Sequence, residues 1–276
     1  MECPDSKPTA LSRRGMLAAG AASGITLAFG AAAADDTTAR LKNIKALTFD
    51  VYGTCVDTWG SIVRTGERIG SRRGLHIDWG KFATEWQTTY ASGFAAISEH
   101  KAEWQSVSSI HDNALNKVLS DQRYKGLDQS DIEALRDVWQ HLDPWPDTVA
   151  GLSELKRRFT LSTLSNADMS GMIGLAKNKG LPWDVIMAAE LAQAFKPDPK
   201  MYQLAARYLG LRPEHILMVA AHKYDLRAAK GQGFLTAFVS RPLERGPNGA
   251  VDSQFSAEFD LNVSSLTELA SQLQAV

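Results

Sequence analysis

Lys45-Ala-Leu-Thr-Phe-Asp-Val-Tyr-Gly-Thr-Cys-Val-Asp57 is the stretch on which the reading of this 276-residue chain turns. Ala46, Leu47, Phe49 and Val51 form an apolar run of the length and residue type of a buried strand. Asp50 interrupts the run, and Gly53 and Thr54 follow it, so a carboxylate stands at the tip of a strand. An unpaired buried charge is costly, and in open α/β sheets the carboxyl ends of strands are where ligands are handled. An isolated Asp-x-x-Gly-Thr is most simply a turn that caps the next segment. Three further stretches downstream keep this one from being isolated.

Beyond Asp57 the pattern changes. Residues 59–142 are polar and aromatic, lack proline, and carry helical spacing such as Trp86, Tyr90, Phe94 and Ile132, Leu135, Val138. Asp143-Pro-Trp-Pro-Asp147 ends this region, because closely spaced prolines cannot continue a helix. Strands and helices then alternate. Strands are expected at 159–164, 185–189, 216–221, 236–240 and 260–263; helices are expected at 149–158, 169–179, 200–209, 226–232 and 265–274. Repeated strand–helix units predict an α/β fold with a three-layer parallel sheet. The strand at 44–50 completes that sheet, so residues 59–142 read as a helical insertion between 35–58 and 143–276.

The downstream stretches each have an ordinary explanation. Leu161-Ser-Thr-Leu-Ser-Asn166 is a strand ending in Ser165 and Asn166, with Asp168 and Met169 opening a helix, and such residues cluster at helix starts for capping alone. Phe195-Lys-Pro-Asp-Pro-Lys-Met-Tyr202 has proline where the first helical turn favours it, which leaves Lys196 a surface lysine. Ile216-Leu-Met-Val-Ala-Ala-His-Lys-Tyr-Asp225 is an apolar strand followed by His222, and a lone histidine there is more often structural. Their joint arrangement, polar groups at the tips of successive strands, is the stronger signal.

Taken together, these stretches resemble the ordered motifs of the haloacid dehalogenase superfamily, and in detail its type II 2-haloacid dehalogenases, over residues 44 to about 264. The resemblance implies a Rossmann-like core under a helical cap, with the active site between them. It makes Asp50 the nucleophile and Thr54 the support of its loop. Superfamily phosphatases carry a second Asp two residues on, where this chain has Tyr52. A phosphate ester leaves as an alkoxide and needs that acid, whereas halide leaves without a proton. Ser165 and Asn166 would take a substrate carboxylate, helped by unpaired N–H groups at a helix start. Lys196 would keep Asp50 ionised and fill the place where a phosphatase holds magnesium, and Tyr202 would line the same pocket. Asp225 would position the hydrolytic water, with help from His222. The implied substrate is a short 2-halocarboxylate, hydrolysed through an aspartyl ester, with no cofactor and no metal.

Two departures bear on the substrate. Members with known activity carry Asn and Ser where this chain has His222 and Ala220. They also place an Arg after a Trp in the first cap helix to draw off halide, and Trp86-Gln87 stands there instead. Gln87 donates hydrogen bonds without charge, and Arg64 is the nearby cation that could substitute. A magnesium-dependent phosphatase of the same superfamily and a non-catalytic periplasmic small-acid-binding protein are the competing readings.

Composition narrows the classes further. A net charge of −1 without a dense Lys/Arg run argues against a nucleic-acid surface. Ser12-Arg13-Arg14-Gly15-Met16-Leu17, an Ala/Gly-rich segment to Phe29 and small residues before Asp35 resemble a twin-arginine export signal, with cleavage near Ala34 and a periplasmic product. The apolar segment is short for a membrane span of roughly 20 residues. After cleavage only Cys55 remains, so no internal disulfide can form, and it reads as a small buried residue. The sequence leaves oligomeric state open, and an exposed cap face would suit a homodimer.

Overall fold

The computed structural model describes residues 38–275, and the export-signal segment lies outside them. The chain divides into two compact units, Met1–Arg40 and Leu41–Val276. Of the first, only residues 38–40, in a short helical turn, are described.

Five parallel strands form the sheet of the second unit: β1 (Ala46–Phe49), β4 (Thr160–Thr163), β5 (Ile216–Ala220), β6 (Leu235–Val239) and β7 (Leu261–Val263), in the order β4-β1-β5-β6-β7. Their near-continuous apolar composition follows from burial on both faces. Along β5, Leu217 and Val219 enter one apolar cluster while Ile216, Met218 and Ala220 enter the other. Two cores on opposite faces of one sheet make three layers, as expected from the alternation of strands and helices.

The expected strand at 185–189 is corrected to isolated bridges, Ser162 with Val185 and Ser165 with Ala188. The cause is a side chain. Thr163 Oγ1 donates to the Met187 carbonyl at 2.8 Å and accepts the Met187 N–H at 2.9 Å, replacing a backbone rung of the ladder.

Between β2 (Val56–Asp57) and β3 (Asp143–Pro144) the chain builds the cap from helices Thr58–Arg73, Trp79–Ser98, Val107–Leu119 and Gln129–Asp137. β2 and β3 pair antiparallel, so the chain leaves and returns through one two-stranded ribbon. Asp57 starts the first helix by accepting the Gly60 N–H, the expected work of an N-cap carboxylate. Trp86 and Phe82 are fully buried, in the same apolar cluster as Leu47 and Phe49 of β1. An aromatic seam continues from cap to core, with Phe94 at 4.7 Å and Trp104 at 4.6 Å from Phe195.

Asp168 does not cap the helix it opens, Met169–Lys179. Its carboxylate crosses to the cap and accepts the backbone N–H groups of Val107 at 2.8 Å and Ser108 at 2.7 Å. A core residue thus caps a cap helix. On the usual scale of such caps the contact is worth about 1 kcal/mol, and it ties the two layers beside the strand tips.

Candidate active site

The register of the sheet assembles the site. Phe49 lies opposite Thr163 on one side and Val219 on the other, so the chain ends of β1, β4 and β5 fall together. Asp50 N–H donates to the Val219 carbonyl at 3.0 Å, and Leu164 N–H to the Phe49 carbonyl at 2.7 Å. Asp50 stands one residue beyond Phe49, Ser165 two beyond Thr163 and His222 three beyond Val219.

Asp50 is buried, and its two oxygens are held differently. Oδ1 accepts Lys196 Nζ at 3.2 Å; Oδ2 accepts Thr54 Oγ1 at 2.7 Å and His222 Nδ1 at 3.0 Å. Burial opposes ionisation, but the Lys196 cation, His222 and Thr54 outweigh it and hold the carboxyl well below the usual carboxylate range. Thr54 is aimed by its neighbour, because its oxygen accepts the Ala221 N–H at 2.9 Å. Cys55 is buried, and its Sγ reaches the Asp50 carbonyl at 3.3 Å. Burial pushes its thiol up, which fits a packing residue and not a nucleophile.

Lys196 is no surface lysine. Its Nζ bridges Asp50 and, at 2.6 Å, Asp225 Oδ2, while Tyr202 OH donates to Asp225 Oδ1 at 2.7 Å. Burial works against the ammonium, yet Asp225 and Asp50 raise it above the ordinary lysine value. Asp225 goes up as well, since burial exceeds the attraction of Lys196. Each oxygen of Asp225 keeps a second lone pair that could meet a water. Asn166 faces this group through its own loop: its Oδ1 accepts the backbone N–H of Lys196 at 2.9 Å.

Ser165 is buried, and its Oγ has no hydrogen-bond partner among the described residues. A buried unpartnered hydroxyl at a strand tip is costly and suits a missing acceptor such as a carboxylate. The helix start behind it is less open than its sequence suggests, because the Met169 N–H is taken by Glu190 at 2.7 Å. Tyr52 packs its ring on Trp139 with centroids 5.6 Å apart, and burial and the nearby Asp168 push its hydroxyl up. The aromatic wall includes His111, stacked on Trp139 at 3.7 Å; burial drops its imidazole to about 3, so it stays neutral.

Gln87 and Arg64 lie elsewhere. Gln87 lines a groove of about 1180 Å³ with Tyr90, Glu244 and Arg245. Arg64 is bound to Asp57 at 3.1 Å and Asp143 at 2.8 Å beside the ribbon, in a separate cavity. It does not replace the cap arginine. Arg245, exposed and outside any ion pair among the described residues, shares the groove with Gln87, as does Lys81.

Two residues escaped the sequence reading. Glu244 is buried, and its Oε1 meets His222 Nε2 at 2.8 Å. Arg241 makes two 2.8 Å bonds to Asp147 and a third, at 2.9 Å, to the Thr54 carbonyl, bracing the nucleophile loop from below. Both lie in the polar loop after the apolar strand β6, two and five residues beyond Val239, and that position is the one sequence signal for them. His222 sits between two carboxylates; burial alone would discharge it, but its bonds to Asp50 and Glu244 raise it to about 10.

Comparison with known proteins agrees with this geometry. The model of the haloacid dehalogenase-like hydrolases matches residues 44–233. An (S)-2-haloacid dehalogenase of Pseudomonas putida is 28% identical over 238 residues, 84% of this chain and 98% of that protein. One of Xanthobacter autotrophicus is 30% identical over 205 residues, 72% of this chain and 76% of that protein. Among solved structures, an L-2-haloacid dehalogenase superposes with a TM-score of 0.81 at 34% identity, covering 84% of this chain and all of that one (100%). A defluorinating L-2-haloacid dehalogenase gives 0.79 at 35% identity, covering 84% and 95%.

Proposed function

The chain belongs to the haloacid dehalogenase-like hydrolases, and from that premise we propose that it hydrolyses short (S)-2-haloalkanoic acids to 2-hydroxy acids and halide. One observation carries the reading: Asp50, buried at the tip of β1, has Oδ2 held by Thr54 and His222 and turns Oδ1 to Lys196. That oxygen attacks the α-carbon in line, the carbon–halogen bond breaks with its pair going to halide, and the configuration inverts. No acid is needed for the leaving group, and Tyr52 occupies the position of a phosphatase acid. Ser165 Oγ, without a partner among the described residues, supports binding of the substrate carboxylate. Arg245 offers a cation along the groove by which an anion would approach.

The second half of the reaction returns the enzyme. Water adds to Cγ of the Asp50 ester, giving its proton to Asp225, whose raised affinity for protons suits a base. The Cγ–Oδ1 bond then breaks, and the departing hydroxy acid recovers that proton. Oδ1 leaves with the product, so the first turnover in heavy-oxygen water labels Asp50. Expected is halide release from (S)-2-chloropropionate and the haloacetates that is undiminished by EDTA, with the label in the protein. Label appearing first in the product overturns the ester route; loss of activity with EDTA points to a metal-dependent hydrolase.

The N-terminal motif supports a further reading, export to the periplasm by the twin-arginine route. Replacing Arg13 and Arg14 by lysine is expected to keep the protein in the cytoplasmic fraction of cells. Unchanged fractionation excludes that route.

A further inference from the structure

Glu244 lies outside the four motifs, yet it is built into the site. The two ring nitrogens of His222 each face a carboxylate oxygen, Asp50 Oδ2 at 3.0 Å and Glu244 Oε1 at 2.8 Å. An ionised carboxylate only accepts, so both nitrogens must donate, and an imidazole that donates from both is an imidazolium. Glu244 is wedged against the nucleophile loop at Gly53, which has φ +81° and where a Cβ would come within 2.7 Å of Oε1. Thr54 completes the arrangement. With the Ala221 N–H on its oxygen, its own proton points at Oδ2, 2.7 Å away. Two donors, one of them charged, therefore converge on Oδ2, while among the described residues Oδ1 meets Lys196 alone.

We propose that Glu244 is a positioning residue that locks His222 in its doubly protonated form, so that His222 Nδ1–H and the Thr54 hydroxyl receive the oxyanion formed on Asp50 Oδ2 during ester hydrolysis. The inference rests on the ester route described above. As water bonds to Cγ and gives its proton to Asp225, the π pair of the ester carbonyl moves onto Oδ2. That oxygen is already in contact with both donors, so no reorganisation is needed when the charge develops. Collapse returns the pair to the carbonyl and breaks Cγ–Oδ1; the hydroxy acid takes the proton from Asp225, and the regenerated Asp50 acid loses its own to solvent. A charged donor holds an oxyanion more firmly than a neutral one. Glu244 acts through His222 and does not touch the reacting atoms.

The test separates the two half-reactions. Glu244→Gln is expected to leave the first-turnover burst of halide within about threefold of the parent, while steady-state turnover slows about 10- to 100-fold and the ester accumulates in the protein's mass. The groups around His222 are Asp50 and Glu244 on its nitrogens, Tyr224 with its ring 5.7 Å away, and the cations Lys196 and Arg245 beyond them. Parent turnover stays flat through neutrality, because Glu244 keeps His222 charged while Asp50 is esterified. In Glu244→Gln, with one anion gone, turnover falls as pH rises through a lower value than in the parent. His222→Asn, a neutral donor that does not titrate, gives slow ester hydrolysis with a flat profile. Burst and turnover falling together in Glu244→Gln, or a profile unchanged from the parent, overturns the proposal. Nitrogen NMR of His222 at pH 8 in unreacted enzyme adds a readout independent of haloacids: both nitrogens protonated in the parent, one proton lost in Glu244→Gln. A parent that releases no halide would remove the functional reading, whereas a neutral His222 in the parent would remove this one.

Discussion

Asp50→Asn abolishes halide release, by on the order of 10⁴-fold or more, the scale on which loss of a nucleophile is felt. An amide nitrogen does not attack carbon, and the remaining oxygen is uncharged. The substitution also cannot satisfy its surroundings. Lys196 donates to Oδ1, and Thr54 and His222 donate to Oδ2. An amide has one accepting oxygen and one donating nitrogen, so whichever way it turns, N–H faces a donor. The variant is therefore expected to be less stable than the parent as well as inactive, while still binding small carboxylates through Ser165. Halide electrode measurements on purified protein check the rate. Residual turnover above about one part in a hundred would remove Asp50 from the role given to it.

Lys196→Met follows from the same geometry and changes two properties at once. The ammonium is buried between Asp50 and Asp225, at 3.2 and 2.6 Å. Methionine fills much of the space but leaves two carboxylates without their shared cation. Breaking a buried pair in this way costs on the order of 3–5 kcal/mol. The two acids avoid part of that cost by sharing a proton, which raises Asp50 and leaves it un-ionised near neutrality. Turnover at pH 7 should fall by about 10³-fold or more, given that the nucleophile must be ionised to attack. The stability effect has a definite sign. Acids whose folded values lie above the unfolded value of about 4 destabilise at pH 7, and the penalty fades as pH falls towards that value. The gap in urea midpoint between parent and Lys196→Met should therefore narrow from pH 7 to pH 5. A gap that widens on acidification would mean that the carboxylates never depended on Lys196.

Much of the fold was legible because parallel strands buried on both faces leave an unmistakable mark. Ile216–Ala220 and Leu235–Val239 are apolar almost throughout, and polar residues follow within two positions, at His222 and Ser240. Val185 and Met187 carried the same mark and did not form a strand, since a threonine hydroxyl on the neighbouring strand took the place of a backbone rung. No local pattern reveals that. The cluster around Asp50 was readable as four strand tips, but its partners across the sheet were not. Asp168 looked like an ordinary helix cap, and its role appears only once the cap helix at Val107 is brought to it. Glu244 and Arg241 were missed for a related reason: charge in a polar loop is unremarkable until burial makes it costly.

The ribbon at the neck of the molecule bears on descent. Val56 faces Pro144 and Asp57 faces Asp143, so the polypeptide departs and returns at neighbouring points. Whatever is spliced between them is borne on one fixed doorway, and the core elements that present Asp50, Lys196 and Asp225 keep their spacing. Ancestral recombination could therefore exchange the whole helical lid as a cassette, altering which molecules are admitted while the reacting groups stay in place.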